Sequence, residues 1–523
     1  MTTATPYYIT TPIYYANDVP HIGHAYTTLA CDVLARFYRL DGRDVMFLTG
    51  TDEHGQKVEK SAERAGKSPQ AFCDEVSARF RDLLDVLGVS HDQFIRTTEP
   101  RHYAAVQAMW QRMVDAGDIY LDSYSGWYSV RDEAFYAESE LQKSDDDGWV
   151  APTGAPVEWV EEPSYFFRLS SFSDKLLEYY EAHPDFVRPK SRLNEVASFV
   201  RGGLRDLSIS RTSFKWGVPV KNDPDHITYV WLDALTNYVT ALGFPDTDGA
   251  PYQQFWPASV HMVGKDILRF HAVYWPAFLM SAGLPLPERV FAHGWWTNEG
   301  QKISKSLGNV IDPFALIEEF GLDPVRYFLM REVPFGNDGD FSRAAMVNRT
   351  NGDLANDLGN LAQRALSMVA KNCDGRVPVA AKPALEDEEI LSSAEALLAD
   401  VRKHMDQQQL HLALEHIWRL ISATNGFFAN AAPWALKKTD PDRMQTVLYV
   451  TIETVRRIAL VLQPFMPTSM GNMLDLLAVP GDERAFRHAG TEFALKSGTQ
   501  LPKPVGVFPR FVEAEPQKKE MAT

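Results

Sequence analysis

The sequence predicts an α/β protein with a doubly wound parallel sheet, followed by a region that is almost entirely helical. Over the first half of the chain, β-branched and aromatic runs alternate with helical patterns, as at 7–15 and then 25–42. From residue 353 onward the apolar spacing is helical almost throughout. Because alternating strands and helices are typical of parallel sheets, we expect a sheet domain first and a helical domain second.

The composition is that of a folded protein with several domains. The chain has 523 residues, of which 45% are apolar and 23% charged, and its net charge is −17. At roughly 100–200 residues per domain, two to four domains are expected. No apolar run reaches the ~20 residues that a membrane-spanning helix needs, and no signal peptide is visible at the start. The three cysteines form no CxxC pair, which excludes a disulfide scaffold and predicts a reducing compartment, the cytoplasm.

The individual elements follow from local patterns. A strand is predicted over 7–15 and another over 44–49, and a short strand over 503–511. Helices are predicted over 25–42, 69–87, 102–117, 353–373, 386–409, 410–429 and 440–463. The region after residue 117 is rich in Trp, Tyr, Ser and Gly and carries an acidic stretch, so we expect an insertion made of short strands.

A domain division follows from these composition changes. We expect a catalytic domain in two halves, a connective insertion, a connection, a helical domain and a tail, at 1–117 and 223–295, 118–222, 296–355, 356–515 and 516–523.

The strongest local signal is Pro20-His21-Ile22-Gly23-His24, between a strand and a helix start. A helix N-terminus offers unpaired backbone N–H groups and the positive end of the helix dipole, which together suit a phosphate. Gly23 leaves room for a ligand beside the backbone. The alternative is a pair of surface histidines near a helix cap.

The second signal is Lys302-Ile303-Ser304-Lys305-Ser306, about 280 residues later in a loop rich in Gly, Asn and Ser. Two lysines three residues apart can bracket a triphosphate as mobile charges, and the serines can donate hydrogen bonds. The alternative is a solvated basic loop.

Together, the two motifs resemble those of the class I aminoacyl-tRNA synthetases. The resemblance implies a Rossmann-type catalytic domain, ATP with Mg²⁺, and adenylate formation without a covalent enzyme intermediate. It also implies a catalytic set and an ATP-binding set. The catalytic set is His21, His24, Lys302 and Lys305; the ATP-binding set adds Gly23, His293, Gly294, Trp296 and Ser304.

The amino acid is indicated partly by elimination. The chain has no room for the editing insertion of the Ile, Leu and Val enzymes, and it lacks the cysteine ligands on which the cysteine enzyme depends. Segments spread over the whole chain are similar to the methionyl-tRNA synthetase family: 49–55, 229–235, 264–277, 293–306 and 425–438. This resemblance implies activation of L-methionine to methionyl-adenylate. It also implies transfer to the 3′-terminal ribose of initiator and elongator methionine tRNA, for translation initiation and elongation.

The same resemblance implies a methionine pocket. Its residues would be Ile13, Tyr15, Asp52, Trp231, Ala234, Leu235, Tyr238, Ile267 and His271. Asp52 would pair with the substrate ammonium, Phe270 and Trp275 would form an aromatic back wall, and Asp266 would support the site. Aromatic faces suit a flexible thioether. Taken alone, however, an aromatic stripe at helical spacing is more often plain core, and Asp52 could equally be a cap or turn residue.

The insertion departs from one family pattern. It resembles a zinc knuckle, yet Ser129 and Asp132 stand where relatives have cysteines. Serine and aspartate do not reproduce a thiolate zinc site, so no structural zinc is expected. Aromatic packing by Trp127, Tyr128 and their neighbours would then maintain its shape.

In the helical half, Asn360, Arg364 and Trp434 match the family's anticodon-binding residues. Tryptophan can stack on an unstacked base, while asparagine and arginine can contact base edges. A capping tryptophan in a helix bundle is the structural alternative. A monomer is expected.

Two other functions stay open at this point. One is a catalytically silent relative that binds tRNA or nucleotide, although both signature motifs are intact. The other is a different or broader specificity, since one methylene in an apolar pocket is worth only ~1–3 kcal/mol and homocysteine or norleucine would be close competitors.

Overall fold

The computed structural model describes residues 5–17, 19–132, 134–144, 148–303, 309–381 and 383–513. The chain forms two compact units, Met1–Ala35 with Arg43–Trp295, and Arg36–Gly42 with Trp296–Thr523. Within the described residues, no helix combines the length and the apolarity needed to cross a membrane.

In the described part of the first unit, the strands belong to four sheets and there are nine α-helices. Its strands are β1 (Pro6–Thr10), β2 (Tyr14–Tyr15), β3 (Asp44–Asp52), β4 (Gln93–Arg96), β5 (Ile119–Ser129), β6 (Ala134–Tyr136), β7 (Gln142–Lys143), β8 (Trp149–Val150), β9 (Glu158–Phe167), β10 (Val187–Arg188), β11 (Leu207–Ser208), β12 (Ser210–Arg211), β13 (Pro219–Val220), β14 (Asp223–Thr228), β15 (Val260–Gly264) and β16 (Val290–His293). Its α-helices are α1 (Ile22–Leu40), which runs on into the second unit, α2 (Gln56–Arg64), α3 (Pro69–Val86), α4 (Pro100–Asp115), α5 (Ser173–Ala182), α6 (Lys190–Arg201), α7 (Val230–Thr240), α8 (Ala250–Phe255) and α9 (Trp275–Ser281). A π-helical turn, Phe270–Tyr274, leads into α9.

The main sheet is parallel throughout. Its order is β10–β16–β15–β1–β3–β4, and β2 also pairs with β3. β1, β15 and β16 are buried almost along their whole length, as strands covered on both faces are. The strand order reverses at β1, and open α/β sheets bind ligands at such a switch point, beyond the carboxyl ends of the strands. The predicted doubly wound sheet is confirmed.

A glycine sets the approach of β3 to β4. A Cβ atom at Gly50 would lie 2.0 Å from the carbonyl oxygen of Ile95. Only a residue without a side chain permits this close approach, which occurs two residues before Asp52 at the end of β3.

The inserted region is more regular than predicted. β5 and β9 pair in an antiparallel ladder of ten residue pairs, within a sheet of order β11–β9–β5–β6. The expectation of short strands is wrong for these two. The ladder includes cross-strand aromatic pairs such as Trp127 with Trp159 and Tyr120 with Phe166, which pack against each other.

The second unit is mainly helical. Its strands are β17 (Trp296–Asn298), β18 (Gln301–Lys302) and β19 (Gly339–Phe341). Its α-helices are α10 (Pro313–Phe320), α11 (Leu322–Arg331), α12 (Arg343–Arg349), α13 (Asn360–Asn372), α14 (Leu385–Asp406), α15 (Leu410–Ala431), α16 (Pro433–Thr439), α17 (Pro441–Leu462) and α18 (Pro467–Leu476). The predicted helical region is confirmed, with α14, α15 and α17 packed on one another.

Two details of the second unit differ from the sequence prediction. Residues 353–359, predicted to belong to an α-helix, lie in the π-helical segment Thr350–Gly359, which leads into α13. Residues 503–511 form no strand, because Pro504 and Pro509 cannot donate to a strand ladder.

A buried charged group stabilises α17. Arg456 donates to both oxygens of Glu453 at 2.7 and 2.8 Å, and Arg457 donates to one of them at 3.0 Å. All three side chains are buried.

Candidate active site

A cleft of about 510 Å³ opens at the carboxyl ends of the parallel strands in the first unit. Small-molecule sites usually measure ~300–1,000 Å³. The lining comes from the segments that follow β1, β3, β15 and β16, from one side of α7 and from two residues that follow β5 in the insertion. The cleft therefore lies at the switch point of the sheet.

All nine residues expected for methionine line this cleft. They are Ile13, Tyr15, Asp52, Trp231, Ala234, Leu235, Tyr238, Ile267 and His271. The rings of Trp231 and Phe270 are stacked with centroids 3.6 Å apart and planes within 5°, so Phe270 backs the tryptophan instead of lining the cleft. Trp275 is fully buried in the core and does not line the cleft.

The polar end of this pocket is a tyrosine–histidine pair. The Tyr238 hydroxyl and His271 Nε2 are 2.7 Å apart, and the Ile267 carbonyl lies 3.0 Å from His271 Nδ1. Burial lowers the pKa of His271 to about 4. The imidazole is therefore neutral near pH 7, and Nδ1 carries its proton because a carbonyl can only accept. The pocket combines aromatic and aliphatic surface with one uncharged polar pair.

Asp52 ends β3, where it faces Tyr15 of β2. The next two residues are firmly held. Arg96 donates two hydrogen bonds to the Glu53 carboxylate, from Nε at 2.7 Å and from Nη2 at 2.9 Å. His54 Nδ1 lies 2.6 Å from Asp233 Oδ2. Asp52 is thus followed directly by two residues, Glu53 and His54, whose side chains are fixed by other hydrogen-bond partners.

The two histidines of the first motif lie at the start of α1 and line the cleft. His24 Nδ1 accepts from the backbone N–H of His21 at 3.1 Å, and His21 Nδ1 accepts from the N–H of Gly23 at 3.1 Å. A neutral imidazole that accepts at one nitrogen carries its proton on the other. Both rings, 3.9 Å apart, therefore present Nε2–H as a donor. Burial, with a smaller contribution from His21, holds the pKa of His24 well below its ordinary value.

Of the residues predicted to bind adenine and ribose, only some line the cleft. His293 lines the cleft and its Nε2 lies 2.7 Å from Thr27 Oγ1, whereas Gly294 does not line it. Trp296 belongs to the second unit, where it packs on Phe328. Ser304, Lys305 and the side chain of Lys302 lie outside the described residues.

Several cleft residues were missed by the sequence analysis: Asn17, Lys57, Arg131, Asp132, Asn237 and Trp295. Trp295 donates to Asp266 at 3.1 Å, and Lys265 Nζ lies 4.3 Å from the centre of its ring. Its signal in the sequence is the doubled tryptophan that follows His293-Gly294. Lys57 lies in the first turn of α2, five residues after Asp52, and its Nζ lies 5.3 Å from the Tyr15 ring centre.

Side-chain hydrogen bonds connect the two arms of the insertion at its tip. Asp132 accepts from Tyr136 at 3.0 Å, from Arg131 at 3.1 Å and from Thr153 on the returning arm. These hydrogen bonds outweigh burial and keep the pKa of Asp132 below its ordinary value. Ser129 accepts from the backbone N–H of Asp132 at 3.3 Å. In the part of the chain that the structure describes, there is no group of three or more His, Cys, Asp or Glu able to hold a metal ion.

The three residues expected at the anticodon lie close together in the second unit. Arg364 is one turn beyond Asn360 on α13, and its guanidinium carbon lies 5.4 Å from the Trp434 ring centre. The Trp434 side chain is 51% exposed at the start of α16, and Lys437 and Lys438 follow it. The result is an exposed aromatic surface beside cationic groups.

Comparison with known proteins places these features in a family. The family described as "tRNA synthetases class I (M)" matches residues 7–144 and 150–366, and the "Anticodon binding domain of methionyl tRNA ligase" matches 377–521. The methionine–tRNA ligase of Mesorhizobium japonicum is 61% identical over 97% of this chain and 98% of that protein. The Rhizobium meliloti ligase is 58% identical over 98% of this chain and 100% of its own length. The structure of Mycobacterium tuberculosis methionyl-tRNA synthetase in complex with methionyl-adenylate is similar with a TM-score of 0.95 and 56% identity, covering 97% of this chain and 100% of that one.

The parallel sheet, the cleft at its switch point and the two histidines at a helix start are those of a class I aminoacyl-tRNA synthetase. Within that class, the chain belongs to the methionyl-tRNA synthetase family. It is therefore a ligase that joins methionine to tRNA.

Proposed function

We propose that the cleft of the first unit activates L-methionine with ATP and that the residues lining it divide this task. Asp52 pairs with the substrate ammonium. Trp231, with Ala234, Leu235 and Ile267, encloses the thioether, and Tyr238 with His271 supplies the polar contact near sulfur. The observation that carries this proposal is that an aromatic and aliphatic surface and two Nε2–H donors at a helix start share one cleft.

The reaction proposed is in-line displacement at phosphorus. A carboxylate oxygen of methionine forms a bond to the α-phosphorus of ATP while the bond to the bridging oxygen of pyrophosphate breaks. ATP enters as its Mg²⁺ complex. Negative charge grows on the phosphate oxygens, where fixed donors stabilise it most strongly. His21 and His24 supply such donors, Gly23 and His293 lie beside them, and Gly294 and Trp296 are proposed for the nucleoside.

The second motif is proposed to act on the leaving group. Lys302, Ser304 and Lys305 carry two positive charges and a hydroxyl, which suit a departing pyrophosphate. In the following step a hydroxyl of the tRNA 3′-terminal ribose attacks the methionyl carbonyl, and AMP leaves.

The second unit is proposed to bind the anticodon. Stacking on Trp434 and base-edge contacts from Asn360 and Arg364 would identify methionine tRNAs, both initiator and elongator. The enzyme would act as a monomer in the cytoplasm. The domains we propose are a catalytic domain at 1–117 and 223–295, the insertion at 118–222, the connection at 296–355, the helical domain at 356–515 and a tail at 516–523.

The direct test is amino-acid-dependent exchange of pyrophosphate into ATP, without tRNA, for all twenty amino acids. Exchange with methionine alone is the expected result. Exchange with another amino acid would overturn the pocket assignment while keeping the reaction. No exchange with any amino acid would favour a silent tRNA-binding relative.

Replacing Lys305 by alanine should lower methionine-dependent exchange by at least about 10²-fold, because a charge that stabilises the transition state is removed. Methionine binding, followed by tryptophan fluorescence, should be nearly unchanged, since the lysine is proposed to contact phosphate only. Lys305→Arg should recover part of the rate. Exchange within threefold of wild type in Lys305→Ala would contradict the proposed role.

Replacing Trp434 by alanine should reduce aminoacylation of methionine tRNA about 10- to 100-fold at limiting tRNA, because base stacking on an aromatic ring is worth ~1–3 kcal/mol. Exchange without tRNA should not change. A tRNA with a substituted anticodon is the control: wild-type enzyme should discriminate against it, and Trp434→Ala should do so less. Equal discrimination by both proteins would exclude Trp434 as an anticodon contact.

A further inference from the structure

Three side chains form a buried polar network behind the cleft without lining it. His54 Nδ1 lies 2.6 Å from Asp233 Oδ2, and His102 Nε2 lies 2.7 Å from Asp233 Oδ1. The other ring nitrogens also have partners: His54 Nε2 lies 3.0 Å from the Tyr103 hydroxyl, and His102 Nδ1 lies 3.1 Å from Thr240 Oγ1. The two histidines and the aspartate are each at most 1% exposed. The described cleft lining includes none of these residues.

Such a network is costly unless its partners are well placed. A buried carboxylate without donors is strongly unfavourable, and each oxygen of Asp233 here meets one imidazole. Burial raises the pKa of Asp233, but the two histidines outweigh it and lower the pKa to about 2. The aspartate is therefore ionised at neutral pH, and its position depends on both histidines.

Two of the three residues lie next to residues that line the cleft, and the third lies on a helix packed against α7. His54 is two residues beyond Asp52, and Asp233 precedes Ala234 and Leu235 on α7. His102 lies in the first turn of α4, which packs against α7. The network thus connects the end of β3, which carries Asp52, to α7, which carries the apolar residues Ala234 and Leu235.

We propose that His54, Asp233 and His102 are positioning residues, which set the separation between Asp52 and the α7 wall and so determine how tightly methionine is bound. This inference rests on the proposed function of the cleft. An α-amino acid must engage its ammonium and its side chain at once, and a displacement of about 1 Å in such a clamp can cost up to ~10²-fold. Loss of the network should therefore act on methionine more than on ATP.

The test uses pairs of variants at one position. His54→Leu removes the donor to Asp233, whereas His54→Asn keeps an amide nitrogen near the place of Nδ1. We expect His54→Leu to raise the KM for methionine about tenfold in pyrophosphate exchange, with the KM for ATP and kcat within about twofold, and His54→Asn to recover most of that loss. His102→Leu and His102→Gln form a second pair on another helix, with the glutamine amide near the place of Nε2, in case His54→Leu does not fold.

A matched control separates positioning from stability. Glu453→Gln disrupts a buried carboxylate in the other unit, where Glu453 accepts hydrogen bonds from Arg456 and Arg457. It should lower the melting temperature without changing the KM for methionine. The double variant Asp52→Ala/His54→Leu should have a methionine Kd less than twofold above that of Asp52→Ala alone, because the network is proposed to act through Asp52.

Three results would overturn the inference: an unchanged methionine KM in a folded His54→Leu protein, an equal rise in the KM for ATP, or no recovery with His54→Asn. Wild-type exchange is measured first. Absence of methionine-dependent exchange in wild type would refute the proposed function, whereas normal wild-type exchange with unaffected variants would refute only the positioning role.

Discussion

Asp52→Ala should raise the KM for methionine about 10²- to 4 × 10³-fold in pyrophosphate exchange. The side chain is 7% exposed and ends β3 at the cleft. Without it the substrate ammonium would be desolvated beside no counter-charge, and removing one partner of a buried ion pair costs ~3–5 kcal/mol. Since ~1.4 kcal/mol is a factor of ten, the loss spans roughly two to three and a half orders of magnitude.

The control for this variant is another buried carboxylate of the same unit. Asp32 accepts from the backbone N–H and the hydroxyl of Ser90, both at 2.7 Å, and does not line the cleft. Asp32→Asn should lower thermal stability and leave the methionine KM within about twofold. A methionine KM in Asp52→Ala less than tenfold above wild type would show that the ammonium binds elsewhere.

His24→Ala should lower kcat for exchange about 10²- to 10³-fold, the usual loss when one preorganised donor to a developing negative charge is removed. Because Nδ1 of His24 accepts from the backbone of His21, the donor is Nε2. A glutamine amide can reach the place of Nε2 and an asparagine amide cannot. His24→Gln should therefore recover part of the rate and His24→Asn should not, while methionine binding stays the same in all three.

The pH profile gives a second readout for His24. Its pKa is held well below the ordinary value by burial, with His21 contributing, so the neutral donor persists as the pH falls through about 6.5. We therefore expect kcat of the wild-type enzyme to have no inflection near pH 6.5 attributable to His24, that is, none that is absent from the pH profile of His24→Gln. Such an inflection, or equal recovery by Asn and Gln, would contradict the proposed donor.

Much of the fold and of the cleft could be predicted because the information is local. Strand and helix periodicity identified the parallel sheet and the helical second half, and the structure has both. Residues at the carboxyl ends of parallel strands must meet at one edge of the sheet. Motifs that follow separate strands, such as those at His21, Asp52 and His293, therefore come together in one cleft although they are far apart in sequence.

Other features depend on packing that local patterns do not contain. Arg131 and Asp132 reach the cleft because the insertion is arranged on the β5–β9 ladder, whose length the composition did not indicate. The π-helical segments Phe270–Tyr274 and Thr350–Gly359 have the apolar spacing of ordinary helices, so sequence periodicity does not distinguish them.

By itself, the sequence determined the class of fold, the two signature motifs and the residue types that methionine and ATP need. Only the tertiary structure decided which nitrogen of His24 is the donor and which partners Asp233 has. The histidines that flank Asp233 are 179 and 131 residues away along the chain, and each is specified by the packing of a different element. Hydrogen bonds between distant elements depend on the three-dimensional arrangement of those elements, whereas periodicity reports only on neighbours along the chain.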